Sequence, residues 1–379
     1  MRIEAFQMER VQSLYEHDVD CNLTESGVLP LTLRELVGGA AVEEELLHES
    51  LGYTQTGGSL LLRERVAAWY PGATADNVGI TNGGSEANYC IFWSLLESGQ
   101  RAAIMLPNYM QTWGLARAYA AADAFHLRMS SGPDGWRWVF DLDELKAAVT
   151  PETKLILVTN PNNPTGAVMT EHEMDAVIEV AARAKAWLVA DEIYRGTEIT
   201  REVETPTFWG RYRRTIVTSG LSKAFGLPGL RVGWFVVPPR LMADLFRHHD
   251  YISIMHSRLS DRLATIALEP ARRAELLARG RRIIKANLPV LERWIRARSA
   301  FFDYARPAAG AFAYVRSRLP VSTRRLAERM RLEQSLLVVP GELFGAGRGF
   351  RFGTGHRADE MLEGLQRADR VLSQVASAV

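Results

Sequence analysis

The chain has 379 residues, of which 47% are hydrophobic and 23% are charged. This is the balance of an ordinary globular protein, and the length leaves room for a large core and a second, smaller domain. With 45 basic and 44 acidic residues, the formal net charge is +1. Such a chain has no electrostatic reason to bind DNA, RNA or an anionic membrane.

The cysteines and the N-terminal residues bear on the cell compartment. Cys21 and Cys90 lie far apart without metal-binding spacing, and the histidines lack zinc-motif neighbours, so we expect a reducing compartment and no metal site. The N-terminal sequence MRIEAFQMER carries charges where a signal peptide needs an apolar stretch. No apolar run approaches the roughly 18 residues that span a bilayer. These features predict a cytoplasmic protein.

Short apolar runs alternate with amphipathic stretches through the middle of the chain. A helix follows TNGGSEAN (81–88) and is predicted to run to about Gly99, and others cover about 141–149 and 170–185. Alternating strands and helices predict an α/β fold whose mostly parallel sheet is flanked by helices. The predicted buried strands are VGIT (78–81), AAIML (102–106), LILVTN (155–160), WLVAD (187–191), TIVTSG (215–220) and VGWFVV (232–237).

The helical stretches carry start signals. Thr170 and Glu173 match a capping box, and Asp141 with Glu144 resembles one.

The last third of the sequence has a different pattern. Arg- and Leu-rich helical stretches cover about 258–298, 322–333 and 357–377, with short strand-like runs at 312–315 and 336–340. This predicts a smaller α+β domain. We expect an N-terminal segment over 1–45 that packs with the small domain, a large domain over 46–265 and the small domain over 266–379.

The motif SGLSKAFGLPGLRVGW (219–234) places Lys223 just after a predicted strand. Loops at the carboxyl ends of parallel strands are where α/β folds place their ligands. A lysine beside small and hydroxyl residues there could form an imine with an aldehyde cofactor. Taken alone, Lys223 could equally be a surface lysine.

Polar residues also follow two neighbouring strands. Asp191 ends WLVAD, where a buried carboxylate needs a cationic or hydrogen-bonding partner such as a protonated pyridine nitrogen, although it could instead cap a helix. Tyr194 could donate to a phenolate oxygen or simply pack. Asn163 lies in NPNNPTG (160–166), where it could bind a ligand across the strand ends or belong to an ordinary turn.

A phosphate site is predicted at the start of the helix after VGIT. There Gly83, Gly84 and Ser85 would expose backbone N–H groups, unless the segment is a plain glycine turn with a serine cap. Ser222 and Arg231 could add a hydroxyl and a permanent positive charge.

In order and spacing, these segments resemble the fold-type-I pyridoxal-phosphate enzymes of the class I/II aminotransferase family, over nearly the whole chain. The resemblance implies a role for each matching residue. Lys223 would be the Schiff-base lysine and proton shuttle, Asp191 the partner of the ring nitrogen, Asn163 and Tyr194 the donors to the ring hydroxyl, Tyr109 the aromatic residue stacked on the ring, and Gly84, Ser85, Ser222 and Arg231 the phosphate contacts.

The resemblance also implies substrate and subunit contacts. Arg351, in FRFGTG, matches the arginine that grips the substrate α-carboxylate, and Gly27, in ESGV, matches a glycine whose backbone approaches that group. Tyr53 matches the tyrosine that reaches the phosphate from the partner subunit, which implies a homodimer with a shared active site. One departure is Gly220, where the family often has a hydroxyl residue. Ser219 or water would replace that phosphate contact.

The resemblance implies an aminotransferase that moves an amino group from an L-amino acid to a 2-oxo acid. The alternative is a pyridoxal-phosphate enzyme that catalyses β-elimination, replacement or cyclisation, because 222–254 and 20–37 also resemble the capreomycidine synthase group, which cyclises a hydroxylated arginine. Glu25 and Asp250 could then pair with a guanidinium, or Arg258 could instead hold an acidic side chain. A third interpretation is the non-enzymatic, aminotransferase-like ligand-sensing domain of a regulator. Such regulators carry an added DNA-binding domain, whereas about 45 residues precede the large domain here and the net charge is near zero.

Overall fold

The computed structural model describes residues 3–133 and 135–376. No helix within these ranges is long and apolar enough to cross a membrane. The helices are α1 (Gln7–Tyr15), α2 (Leu33–Val37), α3 (Ala40–Leu47), α4 (Leu60–Ala67), α5 (Gly84–Leu95), α6 (Gln111–Tyr119), α7 (Leu142–Ala148), α8 (Glu171–Ala184), α9 (Pro239–His249), α10 (Arg258–Ala267), α11 (Pro270–Arg296), α12 (Thr323–Gln334) and α13 (Ala358–Ala376).

The predicted buried strands form within two residues of their expected limits. The helix after the first of them ends at Leu95, short of the predicted Gly99. The strands are β1 (Cys21–Asn22), β2 (Val78–Thr81), β3 (Arg101–Leu106), β4 (Ala121–Gly132), β5 (Gly135–Phe140), β6 (Thr153–Thr159), β7 (Trp187–Asp191), β8 (Thr215–Gly220), β9 (Gly233–Val236), β10 (Phe302–Tyr304), β11 (Phe312–Ser317), β12 (Leu336–Leu337), β13 (Val339–Pro340) and β14 (Gly349–Gly353).

In the described part of the chain, the large sheet has eight strands in the order β2-β9-β8-β7-β6-β3-β4-β5. The pairings from β8 through β7, β6 and β3 to β4 are parallel. Strand β9 runs antiparallel to both β2 and β8, and β5 runs antiparallel to β4. The prediction of a mostly parallel sheet flanked by helices is therefore confirmed, while the β4–β5 hairpin was not predicted.

Strand β6 shows why the large sheet is covered on both faces. Leu155 and Leu157 join a core with α5, α6 and α9, whereas Ile156 and Val158 join a core with α4, α7, α8 and α10. Successive side chains of a strand point to opposite faces, so an unbroken apolar run indicates a strand that is buried on both sides. The carboxyl ends of β6, β7 and β8 consequently meet at one edge of a rigid layer.

The two predicted helix caps differ in the structure. At α8 the Thr170 side chain accepts the Glu173 N–H, and the Glu173 carboxylate accepts the Thr170 N–H, so the capping box is complete. At α7 the Asp141 side chain accepts the Glu144 N–H, but the Glu144 carboxylate binds the backbone N–H and ring of His126 instead. The capping box predicted there is therefore half formed.

The small sheet is antiparallel, with the order β10-β11-β14-β13. It packs with α11, α12 and α13 around a second core. The first residues of the chain join this part, because β1 pairs in parallel with β12 and Leu23 is buried in the second core. Helix α2, in contrast, buries Leu36 and Val37 in the first core. The predicted N-terminal segment of residues 1–45 thus divides between the two cores.

One helix connects the cores. The helical stretch at 258–298 divides at Pro270, which starts α11 after the cap residue Glu269. Helix α11 buries Leu277 in the first core and Ile284 and Leu288 in the second. We propose that the domain boundary lies within α11, a short distance beyond the boundary at 265/266 that the sequence predicts.

The second core provides a stability test. We expect Leu288→Ala to lower the free energy of unfolding by about 2 to 5 kcal/mol, because Leu288 is fully buried and its truncation leaves a cavity. Urea unfolding followed by circular dichroism measures the change. Leu332→Ala is the control, since Leu332 is 66% exposed and its truncation should cost no more than about 0.5 kcal/mol. Equal losses for the two variants would contradict this assignment of the core.

Candidate active site

A cavity of about 440 Å³ opens where β6, β7 and β8 end and α5 begins. Gly83 and Gly27 lie beside this cavity without lining it, and Tyr53 lies outside it on the surface. The structure thus brings together most of the residues that the sequence nominates. The predicted residues that line the cavity are Gly84, Ser85, Tyr109, Asn163, Asp191, Tyr194, Ser222, Lys223, Arg231 and Arg351.

Lys223 lies in the turn after β8 and pairs with an acid from the N-terminal segment. Its Nζ donates to Glu25 Oε1 at 2.9 Å. The same oxygen accepts the backbone N–H groups of Ser26 at 2.8 Å and Gly27 at 2.7 Å. The Gly27 N–H therefore points to Glu25, and a side chain at this position would meet the backbone of Ser222 and Lys223.

The ion pair lowers the pKa of Glu25 and raises the pKa of Lys223. Burial alone would raise the pKa of Glu25, but the charge and hydrogen bond of Lys223, helped by the Gly27 N–H, hold it at about 2. Burial alone would lower the pKa of Lys223, but the negative charge of Glu25 outweighs it, and the net pKa lies above its ordinary value. Without a cofactor, the structure therefore holds an ammonium beside a carboxylate.

Asp191 ends β7 and is 9% exposed. Its Oδ1 accepts the Ile193 N–H at 3.1 Å, and Asn88 supplies a second polar neighbour. Burial raises the pKa of this carboxyl to about 6, because no cationic side chain of the described residues is close enough to counter it. The site thus presents a buried carboxylate that would be stabilised by a positively charged ligand atom.

Arg351 links the small sheet to the loop after β6. It lies on β14, is 1% exposed, and donates from Nη1 to Asn163 Oδ1 at 2.9 Å and from Nη2 to the Thr24 carbonyl. Its Nε has no hydrogen-bond partner among the described residues. Because Arg351 lines the cavity and carries a permanent positive charge, its guanidinium is suited to bind an anionic ligand that enters there.

Tyr194 lies on the same side of the cavity. Its hydroxyl donates to Ser26 Oγ at 3.0 Å, and burial raises its pKa above the ordinary value. Tyr109 also lines the cavity, and its hydroxyl donates to Glu9 Oε2 at 3.3 Å. Both phenols are therefore neutral donors at neutral pH.

The phosphate cradle forms at the start of α5. Gly83 has a φ of +85°, which favours glycine, and a side chain there would collide with the Arg231 guanidinium. Gly84 and Ser85 then begin the helix and line the cavity, at positions where backbone N–H groups have no partner within the helix. Arg231 Nη1 lies 3.4 Å from Ser222 Oγ. Amides, hydroxyls and a guanidinium thus meet in a site suited to a phosphate.

The departure at Gly220 has a packing reason. A side chain there would come within 2.9 Å of the Val232 carbonyl and 3.1 Å of Gly233 Cα, so glycine allows β8 to lie against β9. Ser219 does not replace the missing contact, because its hydroxyl is turned to the Glu192 carbonyl and it does not line the cavity.

Sequence reasoning missed the contribution of α1. Glu9 and Gln12 from this helix, with Glu16 at its C-terminal cap, line the cavity, while Met8 is buried against the small domain. Polar residues at i, i+3 and i+7 share one helix face, and this spacing was the available signal. No family motif marked it.

Of the three side-chain partners that the sequence suggests, Glu25 lines the cavity and the other two do not. Asp250 is exposed at the end of α9, outside the cavity, and Arg258 pairs with Glu49 instead of facing a substrate. Among residues 3–133 and 135–376, no group of three or more His, Cys, Asp and Glu side chains is arranged to hold a metal ion.

Comparison with known proteins identifies the family. A model of aminotransferase class I and II matches residues 30–367. The chain belongs to this family. Capreomycidine synthase of Streptomyces vinaceus is 31% identical over 312 residues, which cover 80% of this chain and 76% of that protein.

Two solved structures extend the comparison. A pyridoxal-phosphate-dependent aminotransferase from Streptococcus suis has a TM-score of 0.90 at 28% identity and covers 99% of both chains. The pyridoxal-phosphate-dependent cyclase OrfR has a TM-score of 0.87 at 27% identity and covers 99% of this chain and 98% of that one. The resemblance drawn from the motifs is confirmed, and the similar proteins include both aminotransferases and cyclases.

The family uses pyridoxal phosphate, and the cavity suits this cofactor. The cradle at α5 suits its phosphate, and the cation-free carboxylate of Asp191 suits its protonated ring nitrogen. The amine of Lys223, which an aldehyde cofactor needs to form an imine, belongs to a residue that lines the same cavity. The cofactor is therefore pyridoxal phosphate.

The Lys223–Glu25 pair predicts a change in pH dependence. Glu25→Gln removes the charge that raises the pKa of Lys223, so burial should dominate and the pKa should fall. Imine formation needs the free amine, and each unit of pKa changes its fraction tenfold below the pKa. We expect the apoenzyme variant to form its cofactor imine about tenfold faster at neutral pH, measured by stopped-flow absorbance. Asp250→Asn is the control, and an unchanged pH profile in Glu25→Gln would contradict the argument.

Proposed function

We propose that this enzyme moves an amino group from an L-amino acid to a 2-oxo acid, with Lys223 carrying the cofactor and transferring the proton at the substrate Cα. The observation that supports this most directly is the convergence of Lys223, Asp191 and Arg351 on one cavity. An amine, a buried carboxylate and a buried guanidinium match the three charged parts of a bound cofactor and amino acid.

The cofactor contacts follow from the polar groups around the cavity. Bound pyridoxal phosphate supplies an aldehyde that condenses with amines and a ring that stabilises negative charge at Cα. The Asp191 carboxylate would hold the ring nitrogen in its protonated form, and Asn163 and Tyr194 would donate to the ring hydroxyl. The phenol of Tyr109 would lie against the ring, and Ser85 and its neighbours Gly83, Gly84, Ser222 and Arg231 would bind the phosphate.

Arg351 would orient the amino acid. Its guanidinium lines the cavity, with Nη1 2.9 Å from Asn163 Oδ1, and would hold the α-carboxylate near the Gly27 backbone. A carboxylate held there leaves the Cα–H bond free to face Lys223. Lys223 Nζ would then act as general base and acid at Cα, with Glu25 stabilising its protonated state.

A second candidate function is elimination, replacement or cyclisation at the substrate side chain. Loss of a substituent from Cβ needs a proton donor as well as the base at Cα. The ammonium that Lys223 forms when it takes the Cα proton, with its nitrogen 2.9 Å from the Glu25 carboxylate, could supply that proton. The similarity to capreomycidine synthase and to the cyclase OrfR adds to this candidate.

We also propose that two copies of the chain form a dimer. Leu47, Leu51 and Tyr53 are each more than three-quarters exposed, as is Tyr251. Glu49, within the first of these segments, pairs with Arg258 at 2.7 Å, so the exposed apolar residues of 47–53 lie beside the start of α10. Exposed apolar surface of this kind marks interaction sites. In the dimer, Tyr53 would contact the cofactor phosphate bound by the partner.

The reaction type can be decided with a panel of amino acids. We expect the holoenzyme to convert its cofactor to the pyridoxamine form while releasing one equivalent of 2-oxo acid, measured by absorbance and mass spectrometry. Ammonia or a cyclised product, with the cofactor still in its aldehyde form, would favour the second candidate over transamination. Borohydride should trap the cofactor on Lys223 in the wild type and leave no adduct in Lys223→Ala. An adduct at another lysine would overturn both candidates.

The dimer leads to a separate prediction. Sedimentation should give twice the mass of one chain, and Tyr53→Phe should raise the Kd of the cofactor several-fold by removing one hydrogen bond to phosphate. Tyr251→Phe is the matched control, because it removes a hydroxyl from another exposed tyrosine. A monomer in solution, or equal effects of the two substitutions, would refute the shared site.

A further inference from the structure

The charges around the cavity do not balance once the reactants are assigned. The acidic lining residues are Glu9, Glu16, Glu25 and Asp191, and the basic ones are Lys223, Arg231 and Arg351. On the proposed function, Asp191 would face the ring nitrogen, Arg231 the phosphate and Arg351 the α-carboxylate. Glu25 would stay beside the Lys223 nitrogen, which takes and gives up the proton. Two carboxylates, Glu9 and Glu16, are left without a cation from the cofactor or from the amino acid backbone.

These two acids stand on one side of the cavity. Glu9 accepts a hydrogen bond from the Tyr109 hydroxyl at 3.3 Å, so one of its oxygens lies at the cavity wall. Glu16 has a single ionic neighbour among the described residues, His17 at 3.6 Å, whose side chain is 89% exposed. Among the described residues neither carboxylate forms an ion pair with a lysine or arginine, although the charge of Glu9 is near enough to raise the pKa of Arg351 against the effect of burial.

The α1 face lies close to the predicted carboxylate contact. Gln12, between the two acids on that face, donates from Nε2 to Thr24 Oγ1 at 3.0 Å. The carbonyl of Thr24 accepts from Arg351 Nη2, and Arg351 is buried with its Nε unpartnered. The α1 face therefore adjoins the residue that would hold the α-carboxylate, and it lines the same cavity that would receive the substrate side chain.

We propose that the substrate side chain carries a positive charge, a guanidinium or an ammonium, held by the carboxylates of Glu9 and Glu16. This inference deepens the proposed function and rests on it. A cationic group forms charge-assisted hydrogen bonds with both acids, and a guanidinium can do so in bidentate form. An acidic side chain would meet two like charges, and an aliphatic one would desolvate them without compensation.

Substrate preference and paired variants test this inference. The holoenzyme is given L-arginine, L-lysine, L-norleucine and L-glutamate, and kcat and KM are measured for each. We expect kcat/KM to be highest for the two basic amino acids. In the Glu9→Gln/Glu16→Gln double variant, the ratio of kcat/KM for arginine to that for norleucine should fall at least tenfold, mainly through KM. Asp18→Asn, an exposed acid just after Glu16, should leave the ratio unchanged.

The outcomes separate the inference from the proposed function. A higher kcat/KM for norleucine or glutamate than for the basic amino acids would overturn the inference. The proposed function, an enzyme that acts on amino acids, would still stand. An equal loss for all substrates in the double variant would also overturn it, because it would show a structural role for α1. If no amino acid changes the cofactor spectrum, the proposed function fails, and calorimetry of arginine and norleucine binding to the holoenzyme decides the inference. Equal affinity for the two would reject it.

Discussion

A buried carboxylate without a cationic partner dominates the site. Asp191 stands at the end of β7, between the parallel neighbours β6 and β8, where the sheet holds it away from water. Burial raises its pKa to about 6, because no cationic side chain among the described residues offsets the loss of water. On the proposed function, a protonated ring nitrogen would supply that charge, and the position of Asp191 would then help to orient the ring.

Distant parts of the chain complete the cavity. Lys223 belongs to the turn after β8, but its partner Glu25 comes from the N-terminal segment, 198 residues away. Arg351 comes from β14 of the small sheet and meets Asn163 from the loop after β6. Since both pairs join residues from different parts of the fold, the relative positions of the two cores decide whether the amine and the guanidinium face the same substrate.

The features that the sequence predicts best are those that both a local residue pattern and a family motif indicate. Apolar runs such as LILVTN indicate strands that are buried on two faces, and the motif around Lys223 marks the same edge of the sheet. The β4–β5 hairpin is harder to predict because most of its residues are partly or fully exposed and its polarity is mixed. The partnership of Glu25 with Lys223 depends on tertiary packing that no local spacing encodes. The spacing in α1 indicates a polar helix face, but the place where that face packs also depends on the tertiary structure.

Helix α11 runs through both cores without a break, burying Leu277 in one and Leu288 in the other. A cut between these two leucines would leave each with its own core but would break the one continuous helix that the cores share. We therefore expect the distance between Lys223, after β8 of the large sheet, and Arg351, on the small sheet, to depend on this helix remaining intact.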